Sequence, residues 1–305
     1  MQEQPGLEKG KLYIVATPIG NLDDITLRAL NILSSADWVA AEDTRHTGKL
    51  LSHHKISASL VSCHEHNEQE RIPGLIRKLE AGASVALVSD AGTPSVSDPG
   101  YRLVRAAIER GITVIPIPGV SAAITALSVS GLPTDHFLFI GFPPKKQGKR
   151  LAQLKRLANE TATLVFYESP KRILSFMEEI RSVMGDRHGV LSREMTKHYE
   201  EFLRGPLSQI FETLRDRPSV KGELTLLIQG FEKNGDVPME AVAQDIREKL
   251  ASGNFRLSDL SKQIAKKYGI PRKKVYEEAL RIQKEQAGDS CFANDSSADT
   301  ENVNA

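Results

Sequence analysis

The sequence has few cysteines, no long apolar run and no apolar N-terminal segment. Only two of its 305 residues are cysteines, and Cys63 and Cys291 lie far apart, which favours neither a disulfide framework nor a cysteine-rich metal site. That usage is typical of a reducing compartment, so we expect a cytoplasmic protein. No stretch of about 18 apolar residues is present and residues 1–10 are polar, so we expect neither a membrane span nor a secretion signal.

Net charge is also nearly absent. The chain has 40 Lys and Arg against 39 Asp and Glu, a formal charge of +1. Such a balance predicts no whole-chain attraction to nucleic acid, so any basic surface must be local. The hydrophobic content of 40% and the length suit a globular protein of roughly two domains.

Several motifs of common enzyme classes are missing. No Gly-x-Gly-x-x-Gly follows the first apolar run and no Walker A sequence occurs, which disfavours a nicotinamide or flavin Rossmann site and P-loop nucleotide chemistry. No Gly-x-Ser-x-Gly elbow is found, and no His-x-Glu with a downstream cysteine pair. The sequence therefore gives no support to a serine hydrolase or a zinc deaminase.

The most informative stretch present is Leu87–Gly100, where an apolar run breaks into a loop of Gly, Pro, Ser, Thr and Asp. It predicts a strand, a loop and a helix that begins near Ser97, the arrangement by which open α/β sheets form ligand crevices. Gly92 allows a ligand to approach the backbone, and Pro94 and Pro99 stiffen the turn. The alternative is an ordinary strand-to-helix connection.

Alternating apolar runs and helical patterns predict the fold class. Five such runs in residues 11–132 each end in a polar or small-residue loop, which favours a mainly parallel sheet with helices on both faces. Residues 133–235 predict a second α/β domain with a mixed sheet. The group Glu42–Arg45 is more polar than a turn requires, although Asp43 or Thr44 leading a helix would also explain it.

The C-terminal part is predicted to be a small helical domain over residues 239–286, with two helices across a turn as in a helix-turn-helix. Residues 241–286 hold 11 Lys and Arg against 6 Asp and Glu, a local charge of +5. This charge indicates a local nucleic-acid-binding surface, and a solvated helical appendage is the alternative. The polar residues 287–305 are predicted to be disordered. The candidate nucleic-acid contacts of this domain are Lys266, Lys267, Arg272, Lys273 and Lys274.

Histidines cluster after the second and third apolar runs, but we expect no metal. Neither His-x-His at His64 and His66 nor His-His at His53 and His54 is a diagnostic spacing, and no cysteine pair supports it. We assign His64 and His66 to substrate contact at the carboxyl edge of the sheet, with a plain polar loop as the alternative.

Five segments together resemble one known family. They are Leu12–Leu30, Ala41–Arg45, Val88–Pro94, Pro118–Ala122 and Phe166–Arg172. These segments are similar to the signatures of the ribosomal RNA small subunit methyltransferase I family, a branch of the tetrapyrrole (corrin/porphyrin) methylase superfamily. The resemblance covers about residues 11–286 of the sequence.

The resemblance implies two α/β domains with S-adenosylmethionine folded in the cleft between them, and a homodimer. It also implies methylation of the ribose 2′-hydroxyl of cytidine 1402 in the decoding region of 16S ribosomal RNA, within the small ribosomal subunit. The implied cofactor-binding residues lie in four loops: Pro18, Ser89, Asp90, Gly92, Thr93, Ser121, Ala122, Tyr167 and Glu168. Tetrapyrrole-modifying members carry Gly-Asp-Pro where this chain has Ser89–Pro94, so the match there is offset by the extra residues.

Methyl transfer from a sulfonium requires alignment and exclusion of water more than a metal or a covalent intermediate. A ribose hydroxyl benefits from a base or a stabilising cation, and the candidate catalytic residues are Glu42, Asp43 and Lys171. The remaining candidate RNA contacts are the polar residues around the sheet edge: Arg45, His64, His66, Arg172 and Lys197.

The residues alone also allow two other functions. One is a methylase of a small tetrapyrrole, which has no evident use for the basic C-terminal helices. The other is a non-catalytic RNA-binding factor of ribosome assembly, which does not need long pocket loops.

Overall fold

A computed structural model of the chain describes residues 8–232, 239–251, 256–268 and 270–292. The chain divides into two compact units, Met1–Phe231 and Glu232–Ala305. The first contains two five-stranded sheets and the second is helical. Among the described residues no helix has the length and apolarity that a bilayer crossing requires.

The first sheet is entirely parallel and has the order β3-β2-β4-β1-β5. Its strands are β1 (Leu12–Val15), β2 (Trp38–Ala41), β3 (Leu60–Ser62), β4 (Val85–Val88) and β5 (Val114–Ile117). The helices between and after them are α1 (Leu27–Ser35), α2 (Thr44–His53), α3 (Glu68–Glu80), α4 (Tyr101–Glu109) and α5 (Ala122–Ser128). The central strand β4 is buried along its whole length, as expected for a strand covered on both faces. The predicted alternation and parallel sheet are confirmed.

One predicted element end in this part is wrong. Helix α4 begins at Tyr101 and not near Ser97, because the chain before it adopts left-handed backbone that no helix can contain. Thr26 caps α1 through its hydroxyl, and residues 23 and 24 lie in a 3-10 turn before it. Strand β5 starts at Val114, after the Ile112 amide has bonded back to the Ala107 carbonyl in α4.

The second sheet is mixed, as predicted, with the order β6-β7-β10-β8-β9. Its strands are β6 (Phe137–Gly141), β7 (Thr163–Glu168), β8 (His188–Arg193), β9 (Glu201–Pro206) and β10 (Leu224–Ile228). Only β6 and β7 pair in parallel, and the other neighbours are antiparallel. The helices are α6 (Gln147–Leu157), α7 (Ile173–Met184) and α8 (Leu207–Arg215), which pack on a core that includes Phe166 and Phe176.

Two turns set the limits of elements in the second sheet. The edge strand β9 starts at Glu201, because the Glu200 amide closes a turn with the Lys197 carbonyl. Helix α7 starts at Ile173, so Ser169 and Pro170 belong to the preceding turn.

The C-terminal unit contains α9 (Met239–Ala251), α10 (Leu257–Tyr268) and α11 (Arg272–Phe292). They share an apolar core that includes Ile246, Ile264 and Ile282, which confirms the helical pattern. Helix α11 extends six residues into the segment predicted to be disordered from residue 287. The rest of that segment lies outside the described residues.

Candidate functional site

Loops from both sheets surround a cavity of about 390 Å³. From the first sheet it is lined by Ile19, Glu42, Asp90, Ala91, Gly92, Thr93, Val96, Ser97, Asp98, Ser121 and Ala122. From the second it is lined by Phe142, Tyr167, Glu168, Ser169, Pro170, Met195, Gly222, Glu223, Leu224 and Thr225. Most of these residues follow the carboxyl ends of parallel strands, where open α/β sheets bind ligands.

The loops after β1, β4 and β5 are joined by backbone and side-chain hydrogen bonds. Thr17 and Gly92 exchange amide-to-carbonyl bonds of 2.9 Å in both directions. The Thr93 hydroxyl donates to the Val120 carbonyl over 3.1 Å, which ties in the loop before α5. Gly92 has φ +82°, a backbone conformation that glycine adopts without a steric penalty. This wall of the cavity is therefore formed largely by fixed backbone.

The part of the β4–α4 loop next to α4 has strained backbone, and a carboxylate that is distant in the sequence holds it in place. Ser95 and Ser97 have φ +69° and +65°, which side-chain-bearing residues adopt at a cost of about 1–3 kcal/mol each. The buried Glu68 of α3 accepts the amides of Gly100, Arg102 and Leu103 over 3.2–3.3 Å. Glu68 thus serves as the N-terminal cap of α4 and fixes the end of the loop.

Contacts between the two sheets complete the cavity. The Ala123 amide at the start of α5 donates to the Tyr167 hydroxyl over 3.1 Å. The Asn21 amide donates to the Thr196 hydroxyl over 2.9 Å. A Cβ on Gly141, at φ +69°, would lie 2.6 Å from Ser97 Oγ, so the ends of β6 and of the β4–α4 loop touch.

Glu168 lies at the carboxyl end of β7 with its side chain fully buried. Its Oε1 accepts from the Ser169 amide and from Arg172 Nη2, both over 2.6 Å. Its Oε2 is buried without a hydrogen-bond partner. An unpaired buried carboxylate oxygen costs free energy, so this atom is a candidate ligand acceptor.

The cavity is acidic. Among the described lining residues five are carboxylates and none is Lys or Arg. Glu168 and Glu223 pair with Arg172 and Lys197. Glu42, Asp90 and Asp98 make no ion pair with another described residue. Burial, assisted by the nearby Glu42 and Asp90, raises the pKa of Asp98 to about 7 against a lowering hydrogen bond from Ser89. Burial likewise raises the pKa of Glu42. Such a site favours a cationic ligand, because bound positive charge relieves the repulsion among the carboxylates.

The structure brings most of the implied cofactor residues together. Of the nine, seven line the cavity: Asp90, Gly92, Thr93, Ser121, Ala122, Tyr167 and Glu168. The other two are buried behind it. Pro18 lies between Thr17 and Ile19, and the Ser89 carbonyl accepts from the Thr17 hydroxyl over 3.1 Å.

The three candidate catalytic residues have different positions. Glu42 lines the cavity and accepts the Asp90 amide over 3.3 Å. Asp43 caps α2 and pairs with Arg45 at 2.8 Å, and this guanidinium holds the pKa of Asp43 well below its usual range. Lys171 is exposed and adjoins the lining residue Pro170.

The candidate RNA contacts in the first unit are mostly neutralised by acidic neighbours. Arg45 pairs with Asp43, Arg172 with Glu168, and Lys197 with Glu194 and Glu223. His64 and His66 lie edge to face with ring centres 6.1 Å apart.

In the C-terminal unit, Lys267 pairs with Asp245 at 2.8 Å and Arg272 donates to the Ser258 carbonyl. Lys273 and Lys274 are exposed, and neither makes an ion pair with another described residue. Lys266 lies in α10, and its side chain is outside the described residues. The start of α11 therefore presents three cations, Arg272, Lys273 and Lys274, that have no carboxylate partner among the described residues.

Sequence reasoning missed several lining residues. Asp98 lies within the predicted ligand loop Leu87–Gly100. It lines the cavity only because the left-handed backbone before it directs the loop into the cavity wall. Phe142 follows β6 directly, a position that could have been proposed from the parallel pairing of β6 and β7. Gly222–Thr225 enter the site because β10 is antiparallel to β7, so that its beginning lies at the same edge. Within the described residues no three His, Cys, Asp or Glu side chains are placed to hold a metal ion.

Solved structures with a similar fold include several methyltransferases. A uroporphyrin-III C-methyltransferase from Thermus thermophilus superposes with a TM-score of 0.52 at 23% identity, covering 72% of this chain and 94% of that one. The same kind of enzyme from that organism in complex with S-adenyl homocysteine gives a TM-score of 0.51 at 21% identity, with 71% and 96% coverage. A cobalt precorrin-4 methyltransferase gives 0.55 at 20% identity, with 72% and 95% coverage. At these identities the likeness concerns the fold.

Relatives found by sequence share much higher identity with this chain than these solved structures do. A protein of Halalkalibacterium halodurans named ribosomal RNA small subunit methyltransferase I is 47% identical over 277 residues, which cover 88% of this chain and 94% of that protein. The Haemophilus influenzae protein of the same name is 45% identical over 276 residues, with 89% and 96% coverage. The profile of the tetrapyrrole (corrin/porphyrin) methylases matches residues 11–210. The chain therefore belongs to the tetrapyrrole methylase family and, within it, to the ribosomal RNA small subunit methyltransferase I family.

Proposed function

We propose that the protein is an S-adenosylmethionine-dependent methyltransferase of the ribose 2′-hydroxyl of a cytidine in the decoding region of 16S ribosomal RNA. The names of its relatives support a ribosomal RNA substrate. The S-adenyl homocysteine bound to a protein of the same fold supports the methyl donor.

The acidic cavity is the observation that carries this proposal. The described lining holds no Lys or Arg, and its unpaired carboxylates Glu42, Asp90 and Asp98 match the sulfonium and ammonium charges of S-adenosylmethionine. The same lining repels the phosphates of nucleotide cofactors and the many carboxylates of a uroporphyrinogen. A small-molecule tetrapyrrole methylase is therefore the weaker alternative.

The residues present fit the donor on further grounds. Gly92 exposes backbone at a position where a Cβ would be strained, and apolar Ile19 and Met195 line the cavity beside the carboxylates. The unpartnered Glu168 Oε2 supplies an acceptor for an ammonium or hydroxyl donor. The bound donor supplies an activated methyl group, so the protein has to align the acceptor and exclude water.

Glu42 is the proposed proton acceptor among the three catalytic candidates. It lines the cavity, and burial raises the pKa of its carboxyl toward the range useful for a base. Asp43 is committed to capping α2 and to Arg45. Lys171 is exposed at the edge of the cavity, which suits a contact to RNA phosphate.

The proposal includes a contribution of the C-terminal unit to RNA binding, through cations such as Lys273 and Lys274. It also includes a homodimer and a cytoplasmic location, which the family resemblance and the cysteine usage favour. Domain limits at residues 133 and 236 remain part of the proposal.

The test is incubation of the protein with donor labelled in the methyl group and, separately, naked 16S RNA, small ribosomal subunits and uroporphyrinogen. We expect label only in RNA, and mass mapping of nuclease fragments should place it on the ribose of one cytidine. Label on a base would correct the atom, and label only in uroporphyrinogen would establish the alternative. No label in any acceptor, with RNA still bound, would favour a non-catalytic assembly factor.

A further inference from the structure

The basic segment that follows β6 has no role in the site described so far. Its lysines Lys145, Lys146 and Lys149 are exposed, and none of them makes an ion pair with another described residue. By contrast, Arg45, Arg172 and Lys197 each have a carboxylate partner. Because neutralised cations attract phosphate weakly, these unpaired lysines are better placed to bind phosphate than the paired cations.

Phe142 connects this segment to the cavity. It lines the cavity, yet 58% of its surface is exposed, an unusual position for a phenylalanine. Its ring lies edge to face with Tyr167, with centres 5.5 Å apart. One face of an aromatic side chain is thus presented at the mouth of the acidic cavity.

The segment is held firmly although it is exposed. Arg150 pairs with Glu179 of α7 through two bonds of 2.5 and 2.6 Å, and both side chains are buried. The same guanidinium donates to the carbonyls of Pro144 and Lys145 over 3.1 Å. Arg150 and Glu179 therefore hold the turn between Phe142 and α6 in place, which lowers the entropy cost when a ligand binds to that turn.

Parallel pairing of β6 and β7 adds a further cation. The carboxyl ends of the two strands lie at one edge, so the turn with Lys171 after β7 neighbours the turn with Phe142 after β6. Lys171 is exposed and makes no ion pair among the described residues. An aromatic face with unpaired lysines around it is how proteins bind single-stranded nucleic acid.

We propose that Phe142 stacks on the base of the nucleotide to be methylated, while Lys145, Lys146, Lys149 and Lys171 bind the phosphates that flank it. The proposal rests on the proposed function, since it assigns the RNA-docking element of the same site. A nucleotide taken out of its stack gains a new stacking partner at the cavity mouth. Its ribose then lies near the donor cavity, and the acidic lining keeps the phosphates outside.

The test of the aromatic face is RNA binding by Phe142→Ala in the full-length protein, with an RNA that the wild-type protein methylates. Stacking of one base contributes about 1–3 kcal/mol, so we expect RNA affinity to fall by roughly 5- to 150-fold. Because Phe142 also lines the cavity, donor affinity is measured on the same variant, and we expect it to fall by less than RNA affinity. Phe142→Trp should restore RNA binding, whereas Phe142→Leu, which keeps an apolar side chain without a ring, should not.

An abasic nucleotide at the methylated position gives the sharper measurement. If Phe142 stacks on that base, wild-type protein and Phe142→Ala should bind the abasic RNA equally. Tyr199→Ala serves as the control, because Tyr199 is exposed and aromatic but does not line the cavity. Equal weakening on intact and abasic RNA would overturn the stacking role. An equally large drop in donor affinity would assign Phe142 to the donor instead.

The phosphate contacts are tested by salt dependence. The double variant Lys145→Ala/Lys146→Ala should reduce the slope of log affinity against log salt by about 2, one for each phosphate that is no longer neutralised. Lys155→Ala, an exposed lysine in the last turn of α6, should leave the slope unchanged. An unchanged slope in the double variant would overturn the docking role. Failure of wild-type protein to methylate any RNA would instead overturn the proposed function itself.

Discussion

At the scale of single residues, the cavity depends on carboxylates that are held close to one another. Asp98, Glu42 and Asp90 lie within electrostatic range, and burial adds to their mutual repulsion. A group of like charges is stable only if one member keeps its proton or a cation binds. With a pKa of about 7, Asp98 is the member that takes the proton near neutral pH.

Donor affinity should therefore depend on pH through Asp98. A cationic donor binds better to the ionised carboxyl, so we expect affinity to rise between pH 6 and pH 8 and binding below pH 7 to release protons. Calorimetry in two buffers of different ionisation enthalpy would measure that release. Asp98→Asn should bind more weakly and without this pH dependence. A wild-type affinity that is flat across the range would contradict the assignment.

The raised pKa of Asp98 should affect stability in the opposite direction, because rising pH lowers the free energy of unfolding. The folded pKa of Asp98 lies above the unfolded value of 3.8, so the folded state holds the extra proton between the two values. The contribution of this residue to the free energy of unfolding is thus present at pH 4 and lost as pH rises through 7. Asp98→Asn should remove that loss, and urea unfolding of both proteins at pH 5 and pH 8 would show it.

Asp90 carries a charge and also accepts a backbone hydrogen bond. Two substitutions distinguish the contribution of each to donor binding. Its Oδ1 accepts the Asp43 amide over 3.0 Å, and the residue lines the cavity. We expect Asp90→Ala to abolish measurable donor binding in calorimetry. Asp90→Asn keeps an acceptor oxygen but not the charge, so weak binding by it would identify the charge as the main contribution. Asp216→Ala, at an exposed helix end, should bind the donor normally.

At the scale of elements, helix α3 positions the site because its Glu68 caps the start of helix α4. Glu68 is buried, and its carboxylate replaces the side-chain cap that Gly100 cannot provide. Gly100 itself has no room for a side chain, since a Cβ would lie 2.6 Å from Leu87 Cδ2. The strained loop before α4 therefore keeps its conformation because its end is fixed by a residue about 30 positions away in the sequence.

Removing this cap should affect both stability and the site. We expect Glu68→Ala to lower the free energy of unfolding by about 1–3 kcal/mol, because three buried amides lose their acceptor. Donor affinity should fall as well, since the β4–α4 loop is released. Glu68→Gln, which keeps one acceptor oxygen, should show smaller losses in both measurements. Glu70→Ala, exposed on the same helix, is the control and should change neither.

At the scale of the whole molecule, the cavity and the basic helices belong to different parts of the sequence. The described residues that line the cavity lie before residue 226, and the helical unit has a core of its own. If the cavity binds the donor and the helices bind RNA, as we propose, the two kinds of binding should be separable. The whole-chain charge of +1 hides the local charge of +5 over residues 241–286 and the carboxylates that line the cavity.

A protein that ends at Phe231 should retain donor binding and lose RNA affinity. The first unit keeps every cavity residue and its apolar cores, so donor affinity in calorimetry should stay within about twofold of the full-length value. RNA binding, measured by filter retention at physiological salt, should weaken by about tenfold or more, because several phosphate-binding cations are removed. An equal decline of both activities would contradict this division of labour.

Much of the architecture could be predicted because its cause is local in the sequence. Runs such as Val85–Val88 and the helical periodicity between them specify strands and helices, and their alternation specifies a parallel sheet. Helix ends were predicted less well. The start of α4 depends on left-handed residues and on Glu68, and neither has a signature in the residues next to it.

The sequence by itself determined the elements, the two sheet types, the family and most of the loops that surround the cavity. Only the tertiary structure decided which charges remain free. Ion pairs form through space, so the pairing of Arg172 with Glu168, and the absence of any such partner for Lys145 among the described residues, follow from how the strands are ordered. The same ordering brings Asp98 and Phe142 to one cavity, because residues distant in sequence meet there at a single sheet edge.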